Sequence, residues 1–101
     1  MSTSEKLVVL ITGASSGFGF HLSKSFLAHD YHVLAASRSI TSPSMQELKS
    51  LGAKLLKLDP NASPEALNEI ITKDAIPAYG QVDILVNNAG FLIQGALEEI
   101  P

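Results

Sequence analysis

Four short apolar runs, at residues 7–12, 32–37, 53–58 and 82–87, are set apart by stretches long enough for a helix and its loops. Antiparallel neighbours can be joined by a two-residue turn, whereas parallel neighbours need a crossover of a dozen or more residues. The spacing therefore predicts a βαβαβαβ order and an α/β fold: a parallel sheet with helices on both faces. The first run is continuously apolar rather than alternating, the pattern of a strand covered on both sides. No internal repeat and no low-complexity linker interrupts the order, so residues 1–101 read as one domain.

The intervening stretches carry helix signals. Phe18, Leu22 and Phe26 recur every fourth residue and are expected to form the core stripe of the first helix, which His29-Asp30 closes. Ser42-Pro43 supplies an N-cap and first-turn proline for a second helix, and Gly52 a stop. Ser63-Pro64-Glu65 starts a third, with Leu67, Ile70 and Ile71 as its buried stripe. That helix is expected to end before Pro77, because proline lacks a backbone donor and disfavours helix at the preceding residue. Asn61-Ala62-Ser63 matches a glycosylation acceptor pattern but reads as loop. Residues 91–101 begin a further loop or helix and leave the fold looking interrupted; Glu98-Glu99 reads as a solvated face.

Composition narrows the function classes. At 46% hydrophobic and 17% charged, the chain is apolar enough to form a core. A formal net charge of -3 with no Lys/Arg cluster argues against a nucleic-acid partner. The absence of cysteine excludes a disulfide scaffold, a thiolate metal site and a Cys nucleophile. His21, His29 and His32 lack metal-ligand spacing and are expected at the surface. The first apolar run is too short for a signal peptide or a membrane span. A soluble, cytoplasmic protein without a membrane partner is expected.

The most informative segment is Thr12-Gly13-Ala14-Ser15-Ser16-Gly17-Phe18-Gly19, where the first strand hands over to the first helix. A pyrophosphate placed there meets backbone N–H groups and the positive end of the helix. Gly13 permits the tight turn, Gly17 a close approach to phosphate, and Gly19 close packing of helix on sheet. Ser15 and Ser16 add hydroxyls without bulk. The spacing differs from G-x-G-x-x-G, and the absence of Gly-Lys-Ser/Thr excludes a P-loop.

This turn, with Asp83-Ile84-Leu85-Val86 leading into Asn87-Asn88-Ala89-Gly90, resembles the short-chain dehydrogenase/reductase family over essentially the whole chain. The resemblance implies a Rossmann-type fold, an alcohol/carbonyl oxidoreductase activity and a nicotinamide dinucleotide cofactor. It places cofactor contacts at Ile11, Gly13, Ser15, Ser16, Gly17, Phe18 and Gly19, and at Asn88, Ala89 and Gly90. Asn87 and Asp83 are expected to be structural. Two other classes fit less well. Methyltransferases typically carry an acid after the second strand, and sugar-nucleotide epimerases usually space the turn as Gly-x-x-Gly-x-x-Gly.

At the end of the second strand an acid would accept from the adenosine ribose hydroxyls and repel a 2′-phosphate. Ser37-Arg38 stands there instead, and a guanidinium can grip phosphate through paired donors. The resemblance thus points to NADP(H) rather than NAD(H). Asp59, after the third strand, matches the position that accepts from the adenine amino group. Pro60 departs from the family pattern, since the following residue often gives its N–H to adenine and proline has none.

The family's chemistry uses a tyrosine with a lysine four residues on, and a serine. Tyr31 and Tyr79 are followed at that spacing by Ala35 and Asp83, so no residue in this sequence is assigned as catalytic. Three readings follow: the cofactor-binding part of a longer NADP(H)-dependent reductase; a naturally short, non-catalytic dinucleotide-binding module; or a remnant that pairs its open sheet edge with another subunit. In the expected strand order 3-2-1-4, residues 84–86 form that edge, which favours self-association.

Overall fold

In the computed structural model, which describes residues 6–59 and 61–88, the four apolar runs pair as a parallel sheet ordered β3-β2-β1-β4. The elements are β1 (Val8–Ile11), α1 (Gly17–Ala28), β2 (His32–Ser37), α2 (Pro43–Ser50), β3 (Lys54–Lys57), α3 (Pro64–Ile70) and β4 (Ile84–Val86). A π-helical turn, Ile71–Ala75, and a last helical turn, α4 (Ile76–Tyr79), extend α3. The strands are one or two residues shorter at their ends than the apolar runs, except β2, which fills its run.

Every residue of β1 is buried, because β2 and β4 flank it and helices lie above and below. Alternate side chains separate into two cores. Val8, Leu10, Leu34 and Ala36 pack with Leu56, Leu67 and Ile71 beneath α3. Val9, Ile11, Val33 and Ala35 pack with Met45 and Leu48 of α2 and with Leu22 and Phe26 of α1. Each large aliphatic side chain so buried contributes about 1.5–3 kcal/mol relative to exposure. The α/β class with helices on both faces is as the sequence predicts.

β4 is attached to β1 by more than the ladder. The Asp83 carboxylate accepts from the Val8 N–H at 2.7 Å, while the Asp83 N–H donates to the Val8 carbonyl at 2.9 Å. Asp83 is therefore a structural residue, as expected. Among the described residues β3 and β4 are the two edges. Exposed Lys54 and Lys57 guard β3, whereas β4 offers only half-buried Ile84, Leu85 and Val86.

Three expectations are corrected. Phe18 is not core: it is 67% exposed, because it sits in the first turn of α1, past the end of β1 at Ile11. The face of α1 nearest the sheet is instead Gly19 and Ser23, both buried, with Leu22 and Phe26 flanking. Their small size lets the helix approach closely, and the Ser23 hydroxyl donates back to the Gly19 carbonyl at 2.7 Å. The third helix does not stop before Pro77. A proline ring collides with the carbonyl four residues back in a regular helix. The wider π-helical turn at Ile71–Ala75 precedes it and leaves Pro77 in the first turn of α4, where a missing N–H is harmless.

His32 is the third correction. It is half-buried, its ring stacked on Tyr79 with centroids 4.3 Å apart at 20°. Lys54 Nζ lies 4.3 Å from the Tyr79 centroid and donates to the Ala78 carbonyl at 2.8 Å. The π-helical turn thus delivers an aromatic side chain to the amino ends of β2 and β3. Partial burial raises the Tyr79 phenol above its ordinary 10.0, and the Lys6 cation opposes the rise. Because the folded pKa lies above the unfolded one, this contribution is full below pH 10.0 and is lost as pH rises through the folded value. Denaturant melts on the alkaline side should show stability falling with pH, and Tyr79→Phe should flatten that fall. An unchanged slope in the variant would refute the assignment.

Candidate functional site

The site is built where β1 ends. Thr12 continues the ladder by donating its N–H to the Val86 carbonyl at 3.0 Å, and its hydroxyl reaches the Asn87 side-chain oxygen at 3.2 Å. The chain then turns through Gly13 at φ +64°, and the Ala14 N–H donates to the Ala36 carbonyl at 3.0 Å. Gly17, at φ +57°, opens α1; a β-carbon there would meet nothing within 4 Å, so backbone conformation alone requires glycine.

Gly19 is required for a different reason. A β-carbon on it would run into the Gly13 carbonyl and lie 2.9 Å from Asn88 Nδ2. Asn88 Nδ2 in turn donates to that same Gly13 oxygen at 3.2 Å. Three motif residues from the ends of β1 and β4 and the start of α1 are thus locked around one carbonyl. This is the role for Asn88 that the turn needs.

Ser16 caps α1 in an extended conformation without a side-chain hydrogen bond to the helix. Among the described residues, the N–H groups of Ser15, Ser16, Gly17 and Phe18 find no acceptor, while the Gly13 and Ser15 carbonyls are both engaged. The turn thereby sorts its polarity: acceptors inward against protein, donors outward at the positive end of a helix. That arrangement fits an anion, and the pyrophosphate of a dinucleotide is one.

The remaining predicted residues lie at neighbouring strand ends. Ile11 is fully buried and its side chain belongs to the core. Ser37 is buried, its carbonyl accepting from the Leu58 N–H at 2.9 Å, which sets Arg38 and Asp59 side by side just past β2 and β3. Arg38 Nε lies 4.0 Å from Asp59 Oδ1, with both side chains largely exposed, so the pair contributes little to stability. Asp59 Oδ1 also accepts from the Asn61 N–H at 2.9 Å, which steadies the carboxylate. Ala89, Gly90 and Pro60 lie outside the described residues. Ser44, in the first turn of α2 and not singled out by the sequence, donates to the Ser15 carbonyl at 2.5 Å. No motif spacing announces such a contact, because it joins residues of two different βα connections.

Among the described residues no helix is long and apolar enough to cross a membrane, and no group of three His, Asp or Glu is placed to hold a metal. The short chain dehydrogenase family model matches residues 7–101. An uncharacterised oxidoreductase of Schizosaccharomyces pombe is 40% identical over 90 residues, covering 89% of this chain and 29% of that protein. A crystal structure of a short-chain dehydrogenase from Streptomyces avermitilis superposes with a TM-score of 0.72 at 31% identity, covering 83% of this chain and 30% of the other. A 3-oxoacyl-[acyl-carrier protein] reductase from Brucella melitensis, solved in complex with NAD, gives a TM-score of 0.70 at 30% identity, covering 85% of this chain and 34% of that one. The chain spans about a third or less of the length of these relatives.

Gly19→Ala should force α1 away from the Gly13 carbonyl and destabilise the fold by about 1–3 kcal/mol, the usual range for overpacking. A denaturant midpoint equal to wild type would show that the contact is not tight.

Proposed function

The chain belongs to the short-chain dehydrogenase family, and from that premise we propose that residues 1–101 are the cofactor-binding part of an NADP(H)-preferring oxidoreductase acting on an alcohol/carbonyl pair. The observation that carries the reading is the turn at residues 12–19, with its donors outward and its carbonyls held by Asn88 and Ser44. The backbone from Ser15 to Gly19 would hold the pyrophosphate at the head of α1, with Gly13 shaping the turn. Asn88, with Ala89 and Gly90 after it, would line the cleft, and Asp59 would meet the adenine.

Cofactor preference rests on Arg38, which follows β2 where an acid would repel a 2′-phosphate. Its guanidinium offers paired donors to a phosphate and is 69% exposed beside Asp59. The nicotinamide, when bound, supplies hydride chemistry. No residue described here is assigned to proton transfer. Tyr31 packs edge-on against Phe26 at 4.7 Å and Tyr79 stacks on His32. Both tyrosines have structural partners and neither is followed by a lysine at the family's spacing.

The decisive experiment is a pair of titrations with NADPH and NADH on wild type and Arg38→Ala. Wild type should bind NADPH more tightly, and the variant should lose about 1.5–3 kcal/mol of NADPH affinity, the range for a hydrogen bond to a charged group, with NADH little changed. Equal loss for both, or an initial preference for NADH, would defeat the NADP(H) reading. A dinucleotide-binding chain without catalysis is the second reading. Carbonyl-dependent NADPH oxidation by the protein at its natural length would exclude it.

Among the described residues the β4 edge carries no charged side chain, which bears on assembly. A chain limited to residues 1–101 should self-associate through Ile84, Leu85 and Val86. Sedimentation that grows with concentration and is suppressed by Leu85→Lys is the expected result; a concentration-independent monomer would refute it.

A further inference from the structure

We infer that Ser44, on α2, is a positioning residue for the phosphate-binding turn, acting through the Ser15 carbonyl; the inference rests on the dinucleotide-binding reading of that turn. Three polar contacts run in series from α2 into the turn. The Met45 N–H donates to the Ser42 hydroxyl oxygen at 3.4 Å, the Ser42 and Ser44 hydroxyls lie 3.4 Å apart, and the Ser44 hydroxyl donates to the Ser15 carbonyl at 2.5 Å.

The direction of this series is fixed by its two ends. A carbonyl can only accept, so the single proton of Ser44 goes to Ser15. Ser44 is then left as the acceptor for Ser42, whose own oxygen takes the Met45 N–H. One N–H at the first turn of α2 and one carbonyl in the phosphate turn thus determine every hydroxyl between them. The anchor is firm, since Met45 and Leu48 of α2 are fully buried in the core.

The consequence for the site follows from peptide geometry. In a planar trans peptide the N–H points opposite to the carbonyl of the preceding residue. Holding the Ser15 carbonyl toward α2 therefore turns the Ser16 N–H away from α2, and that N–H has no acceptor among the described residues. On the opposite side of the turn Asn88 holds the Gly13 carbonyl at 3.2 Å. Asn88 and Ser44 together fix two peptide planes of the turn before any ligand arrives, which lowers the ordering cost of binding.

The pyrophosphate is common to both dinucleotides, so loss of the tether should weaken both equally. In the protein at its natural length, Ser44→Ala should raise the dissociation constants of NADPH and NADH by the same factor, roughly three- to tenfold for one hydrogen bond. Adenosine 2′-phosphate, which lacks the pyrophosphate, should bind Ser44→Ala as it binds wild type. Ser44→Thr, which keeps the hydroxyl, should restore dinucleotide affinity. Wild-type affinity in Ser44→Ala, or equal weakening of all three ligands, would overturn the assignment; the latter would make Ser44 a fold-stabilising residue only. A ligand-free readout separates this inference from the functional reading. Amide exchange at Ala14 and Phe20 should accelerate in Ser44→Ala while β1 keeps its protection. If wild type binds neither dinucleotide, the functional reading falls, whereas unaltered exchange in the variant overturns the tether.

Discussion

The Gly13 carbonyl is the point on which the remaining geometry turns. Residue 19 comes so close to it that no β-carbon fits, and Asn88 donates to the same oxygen. That one acceptor joins the end of the central strand, the head of α1 and the segment that follows β4. Closeness has a further effect, because Gly19 and Ser23 on the inner face of α1 let the helix axis lie near the sheet. The helix end then stands directly over the strand terminus, where its unpaired N–H groups and partial positive charge act together.

A consistent polarity follows from this arrangement. Backbone groups facing into the protein are engaged: the Thr12 and Ala14 N–H groups with the carbonyls of Val86 and Ala36, and the Gly13 and Ser15 carbonyls with Asn88 and Ser44. Those from Ser15 to Phe18 on the outer side find no acceptor among the described residues. Such a turn is preorganised by its neighbours as well as by its own glycines, which the positive φ of Gly13 and Gly17 and the closeness of Gly19 require. The three strand ends nearest it then place Arg38 and Asp59 to one side and Asn88 to the other.

Much of this was legible in the sequence because it is written in local chemistry. Ser42-Pro43 and Ser63-Pro64 start helices as expected, with the Ser42 and Ser63 oxygens accepting from the Met45 and Ala66 N–H groups. The apolar runs find their strands, and the glycine turn falls between β1 and α1. What was illegible depends on where elements stop relative to one another. Phe18 has the periodicity of a core residue, yet β1 ends too early to cover it. Pro77 has the chemistry of a helix stop, but a widened turn before it absorbs the ring. The contact of Ser44 with Ser15 crosses from one βα connection to the next, so no linear pattern contains it.

Among the described residues, the two edges of the sheet differ in charge. β3 brackets Leu55 and Leu56 between exposed Lys54 and Lys57, so its charges oppose pairing with a further strand. β4 offers only aliphatic side chains, all half-buried, and is pinned along its inner side by Asp83, Leu85 and Val86 against β1. Among the described residues, only the β4 side could pair with a further strand without opposing charge. The relatives, of which this chain spans about a third or less, have the length to supply one. Asn88, which holds the Gly13 carbonyl, lies just past β4, so the apolar edge and one anchor of the glycine turn share one strand end.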